Sequence, residues 1–181
     1  NMTTVTLTSS HLTAKINSFG AELSSLKNKN DVEFIWQADK NIWARHAPVL
    51  FPIVGKLKDN QFIYGDVSYS LPQHGFARDM EFELISQSSD ACVFRLRSDG
   101  ETLKKYPFAF IFEIKYELKE NILSTFYTVK NPSDKQMYFS VGAHPGFNCP
   151  LLPGEKFEDY FLEFESDTYY QTQLEDGLLS E

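Results

Sequence analysis

The chain has 181 residues and a formal net charge of −8, with 23% charged and 42% hydrophobic residues. That length suits one domain, or most of a larger one, and can bury a sizeable core. The acidic balance excludes the basic face that nucleic acid or an anionic membrane surface requires, and no apolar run reaches membrane-spanning length. Aromatic residues are abundant, with 16 Phe, 9 Tyr and 2 Trp, and such residues favour the half-buried pleated surface of a sheet.

Taken in chain order, the dominant period is two. Val5–Thr8, Leu12–Asn17 and Ala21–Lys27 predict a three-stranded meander broken at Phe19-Gly20. Trp36 to Lys58 is long and irregular, with a short helical stretch predicted at Asp39–Trp43, capped by the Asp39 carboxylate. Phe62–Tyr64 and Val67–Ser70 flank Gly65-Asp66, a hairpin turn. Phe82–Ser86 and Cys92–Ser98 alternate again. From Phe108 to Lys119 every second residue is apolar, the pattern of a half-buried antiparallel strand. Glu120-Asn121 turns the chain into a partner strand, Ile122–Lys130. Met137–Val141 and Tyr160–Phe164 complete the predicted strands. The class is all-β, a sandwich of antiparallel sheets.

Four histidines focus the search for chemistry. His11 reads as surface, and nothing around His46 demands a role. His74 sits in Leu71-Pro72-Gln73-His74-Gly75-Phe76-Ala77-Arg78-Asp79, where Pro72 stiffens the approach and Gly75 loosens the exit. This is either a ligand-binding polar cluster or a polar surface turn. His144 lies in Val141-Gly142-Ala143-His144-Pro145-Gly146-Phe147-Asn148. Pro145 biases His144 toward extended backbone, and the flanking glycines let a ligand come close. Histidine, with an ordinary pKa of about 6.5, suits proton transfer near neutral pH. The other reading is a structural histidine in a strand-to-loop turn.

Other chemistries lack their patterns. There is no HExxH, no GxSxG elbow and no dinucleotide GxGxxG, and Phe51-Pro52-Ile53-Val54-Gly55-Lys56 lacks the first glycine of a phosphate loop. No short ligand spacing supports zinc. Cys92 and Cys149 form no CxxC pair and no disulfide framework, which points to a reducing cytoplasm.

Four segments together resemble the aldose 1-epimerase, or galactose mutarotase-like, family. They are Ile16-Asn17-Ser18-Phe19-Gly20-Ala21-Glu22-Leu23, then Ala47 to Leu57, then His74-Gly75-Phe76-Ala77-Arg78, then Gly142 to Asn148. The His-Gly-Phe-Ala-Arg form is similar to the bacterial LacX-like and hexose-6-phosphate epimerase-like branch. The resemblance implies a β-sandwich with an open cleft, in which one acid and one base open and reclose the ring of an aldose and so exchange its anomers. It implies His144 as the acid at the ring oxygen and His74 as a hydrogen-bonding catalytic partner. Arg78 and Lys56 would be substrate contacts, Lys56 standing where many relatives carry arginine. It implies no metal and no cofactor, and a sugar or sugar phosphate as the partner. Family members are longer and place the general base, a glutamate, C-terminal to the matched segments. Residues 2–181 are therefore expected to be the N-terminal portion of one such domain, with Asn1 an addition ahead of Met2. The alternative is a carbohydrate-binding sandwich without catalysis. A glycoside-processing sandwich with a carboxylate pair is a third.

Overall fold

The computed structural model describes residues 2–165, 168 and 172–179. Strands β1 (Thr4–Thr8), β2 (Leu12–Asn17) and β3 (Glu22–Asn28) form an antiparallel meander. β4 is the pair Val49–Leu50, and β5 (Gln61–Tyr64) and β6 (Val67–Ser70) form a hairpin. β7 (Glu83–Gln87), β8 (Ala91–Arg97), β9 (Ile111–Lys119) and β10 (Ile122–Lys130) make a four-stranded antiparallel sheet in the order β10-β9-β8-β7. β11 (Gly142–Ala143) pairs with β4, and β12 (Leu174–Glu175) with β13 (Leu178–Leu179). Among the described residues no helix is long and apolar enough to cross a membrane.

The two larger sheets bury their apolar faces against each other. Val5, Leu7, Ala14 and Ile16 from the meander, and Cys92, Phe94, Phe112, Ile114 and Tyr116 from the larger sheet, belong to one buried core. Period-two alternation is why this works: in β9 the even-numbered Phe112, Ile114, Tyr116 and Leu118 are buried while their neighbours are half-buried or exposed. On the other face Arg95 lies opposite Glu113 in register and the two form an ion pair. The Tyr116 hydroxyl donates to the Ala21 carbonyl at 2.8 Å, joining one sheet to the other, and burial pushes its pKa far up. A tyrosine there provides apolar bulk and one satisfied donor.

Four sequence expectations are corrected. Phe108 and Phe110 are buried as the alternation requires, yet their backbone is outside the ladder, which starts at Ile111. A short helix, α1 (Gly100–Lys105), precedes them. Asp99 caps it by accepting from the Glu101 and Thr102 N–H groups, and the Thr102 hydroxyl accepts in return from the Asp99 N–H. Met137–Val141 is not a strand, and its pairing is confined to Gly142–Ala143. The hydroxyl of Tyr106 and the carbonyl of Pro52 take the backbone groups of Tyr138 and Ser140 instead. Tyr160–Phe164 forms no strand, and Phe161, Leu162 and Phe164 are exposed. At Asp39–Trp43 there is a turn rather than a helix, although the Asp39 carboxylate does accept from the Asn41 N–H as a cap would.

Candidate active site

Two irregular segments carry the histidines, and main-chain bonds fix both. The Gly142 to Asn148 arm runs between two other stretches. On one side Gly142 and Ala143 pair with Leu50 and Val49, and the His144 N–H donates to the Pro48 carbonyl at 3.0 Å. On the other, the Trp36 N–H donates to the Gly146 carbonyl, and the Asn148 side-chain amide donates to the carbonyls of Glu33 and Ile35. Gly146 is required there, because a Cβ would come within 2.8 Å of the Trp43 ring. The His144 side chain is exposed, with its ring centroid 5.1 Å from that of Trp43.

His74 is held differently. It adopts a positive φ of 67°, and Gly75 follows at 70°. Gly75 lies against the residue that follows β4: a Cβ there would stand 2.3 Å from the Phe51 carbonyl oxygen. That carbonyl accepts the N–H groups of both Phe76 and Ala77. The His74 N–H donates to the Gly55 carbonyl at 2.8 Å, and the Gly55 N–H donates back to His74 Nδ1 at 2.9 Å. A ring nitrogen that accepts a backbone N–H carries no proton, so neutral His74 holds its hydrogen on Nε2. The His74 and His144 ring centroids are 6.4 Å apart.

The electrostatics separate the roles. Burial lowers the His74 pKa below its ordinary 6.5, and Arg78, His144 and Arg45 lower it further. His74 is thus a neutral donor at neutral pH. Its unfolded counterpart binds protons at about pH 6.5 while the folded group does not. The contribution is therefore complete above pH 6.5 and is lost as pH falls from there toward the lowered folded value. Replacement with Gln removes the titration. The denaturant midpoint of the wild type is expected to fall relative to His74→Gln between pH 7.5 and pH 5. Parallel midpoints over that range would contradict the assignment.

Both expected cationic contacts are engaged with the protein's own backbone. Arg78 donates from Nη2 to the Gln73 carbonyl at 2.7 Å, and its Nε is buried without a hydrogen-bond partner among the described residues, 3.9 Å from Asp79 Oδ2. Arg45 Nη2 lies 2.8 Å from Asp79 Oδ1, so one carboxylate serves two guanidinium groups. Lys56 Nζ donates to the Asp176 carbonyl at 2.8 Å. His11 is exposed beside the Ser10 hydroxyl, and His46 Nδ1 lies 2.8 Å from the Trp36 carbonyl.

Sequence reasoning missed two residues of this region. The sequence places Trp43 at the end of a short predicted helix, whereas its ring lies beside His144. Glu22 was read only as part of a matching segment, yet its Oε1 accepts the N–H groups of both His46 and Ala47 and so shapes the loop that leads to Pro48. A tryptophan in an irregular loop and an acidic residue opening a strand are the available signals. A separate apolar pocket of about 490 Å³, lined by Phe62, Tyr64, Tyr106, Phe108 and Tyr138 among others, contains neither histidine. Burial raises the Tyr106 pKa further from neutrality.

The aldose 1-epimerase family model matches residues 3–178. The plasmid form of protein LacX of Lactococcus lactis subsp. lactis is 37% identical over 97% of this chain, which spans 62% of that protein. A galactose mutarotase related enzyme from Lactobacillus acidophilus superposes with a TM-score of 0.94 at 44% identity, over 98% of this chain and 60% of that one. A galactose mutarotase-like protein from Lactobacillus casei superposes with a TM-score of 0.78 at 43% identity, over 81% of this chain and 50% of that one. The sandwich is that of galactose mutarotase-like proteins, and a match of this extent means that the chain belongs to the aldose 1-epimerase family.

Proposed function

We propose that the protein is a mutarotase that interconverts the α and β anomers of a hexose or a hexose 6-phosphate, with His144 as the general acid. The observation that carries this reading is the pairing of an exposed His144 with a His74 held neutral 6.4 Å away. Ring opening of a hemiacetal needs a proton delivered to the ring oxygen as the C1 hydroxyl loses one. No net oxidation or reduction occurs: the C1–ring-oxygen bond breaks as the C1–hydroxyl oxygen bond becomes a carbonyl, and both changes reverse on closure. His144 supplies the proton. His74 donates from Nε2 to the ring oxygen or a neighbouring hydroxyl. Because His74 stays neutral it serves as a hydrogen-bond donor, and the two imidazoles keep distinct tasks.

In this proposal Arg78 acts from behind the loop, holding the Gln73 carbonyl and favouring neutral His74. The proton acceptor is assigned to the glutamate that family members carry C-terminal to the matched residues. The catalyst is a cytoplasmic enzyme that uses neither metal nor cofactor. The test is anomer exchange of glucose, galactose and glucose 6-phosphate, followed by NMR with the complete gene product. Saturable exchange of at least one of them is expected, and which one responds identifies the substrate class. Sugar binding without exchange would favour a binding module and overturn the proposal.

A further inference from the structure

The β12-β13 hairpin lies beside the loop that carries His74. Its turn consists of Asp176 and Gly177 with φ of 49° and 80°. Two consecutive left-handed residues make the tight turn whose twist suits a two-residue hairpin, and Asp-Gly is a preferred sequence for it. The tip rests on Lys56 and Gln73. Lys56 Nζ donates to the Asp176 carbonyl at 2.8 Å. A Cβ on Gly177 would stand 3.3 Å from Lys56 Cδ and 3.4 Å from Gln73 Nε2.

Both of those residues adjoin the His74 unit. Gln73 precedes His74 in the chain, and Arg78 holds its carbonyl. Lys56 follows Gly55, whose N–H and carbonyl both bond to His74. The hairpin tip is therefore two short links from the imidazole on each side. Resting on the mutarotase reading above, we infer that the Asp176-Gly177 turn walls one side of the sugar cleft beside His74, and that Lys56 is the positioning residue that holds it there. The aliphatic stem of Lys56 packs under the turn while its ammonium secures the tip, a division of labour natural to lysine. On this account Lys56 acts on the sugar through the wall, not by touching a hydroxyl.

Two substitutions separate the alternatives in the complete gene product. Lys56→Met keeps the stem and removes the donor. Gly177→Val leaves Lys56 in place but drives a side chain into Lys56 and Gln73 from a backbone conformation that valine resists. The first readout is amide hydrogen exchange across residues 174–179. The second is the KM and kcat of anomer exchange. Both variants are expected to speed exchange in the hairpin by up to about tenfold, the scale of one hydrogen bond, and to raise KM with kcat nearly unchanged. The double variant is expected to lose less than the sum of the two single losses, because the Lys56 contact is shared between them. A raised KM in Lys56→Met with unchanged hairpin protection would overturn the inference, since it would make Lys56 a direct sugar contact. Faster hairpin exchange with unchanged KM would equally overturn the wall. If no sugar is turned over, the mutarotase reading fails on its own account. Hairpin protection still decides the tether: its persistence in Lys56→Met overturns that role.

Discussion

Replacing His144 with Ala is expected to slow anomer exchange by about 10²–10⁴-fold, the range associated with one positioned acid or base. The same variant is expected to keep the wild-type circular dichroism and a denaturation midpoint close to that of the wild type. The structural reason for this split is that the arm is secured by groups alanine retains. The His144 N–H to Pro48 carbonyl bond is main chain, as is the pairing of Gly142 and Ala143 with β4. The side chain is exposed, so its truncation leaves no cavity in the core. An exposed substitution away from such features usually changes stability by no more than about 0.5 kcal/mol. NMR line shapes or magnetisation transfer between anomers provide the rate, and urea titration provides the stability. Equal rates in the two proteins would end the case for His144.

Phe51→Ala has the opposite signature, with stability lost first. Phe51 is fully buried, its ring stacked on Phe112 at 4.5 Å and edge-on to Phe110 at 5.1 Å and Tyr106 at 6.3 Å. Truncating a buried phenylalanine costs about 3–5 kcal/mol, from lost transfer energy and the cavity left behind. That is a large share of the roughly 5–15 kcal/mol by which a domain is stable. The loss should also reach the site, because the Phe51 carbonyl accepts from Phe76 and Ala77 just after His74. Urea midpoints at constant slope measure it. Phe51→Leu, which keeps most of the volume, is expected to recover much of the loss. A cost for Phe51→Ala below about 1 kcal/mol would show that the aromatic cluster can collapse around the gap.

The regular sheets were legible because their burial obeys a short rule. β9 and β10 were readable from alternation alone, and β2, β6 and β10 have the predicted bounds. What alternation cannot encode is where pairing stops. Phe108 and Phe110 continue the apolar beat into a segment whose backbone bonds elsewhere. α1 was missed because six residues give too little period for a helix, and only the Asp99-Thr102 cap marks it. At the site, the sequence around His74 and His144 drew attention to both, through glycine and proline neighbours. Their approach to 6.4 Å depends on contacts between residues 70 apart, which no local pattern carries. The inward bonds of Arg78 and Lys56 were equally hidden, because a cation's type does not reveal whether it serves a ligand or a carbonyl.

The stitching of the His144 arm has a consequence for how this molecule tolerates mutation. Much of what holds the imidazole is peptide backbone: the Pro48 carbonyl, the β4 ladder, the Gly146 carbonyl and the carbonyls that receive Asn148. Peptide groups are common to almost every residue, so many substitutions at Val49 or Ala143 preserve the ladder. A change in length does not. One residue inserted between Pro48 and Phe51 shifts the register by one, and in a paired strand that turns every following side chain to the opposite face. Gene variants here should therefore divide by kind: missense changes that keep the bulk are absorbed, whereas single-codon insertions or deletions displace His144 and abolish the proposed anomer exchange.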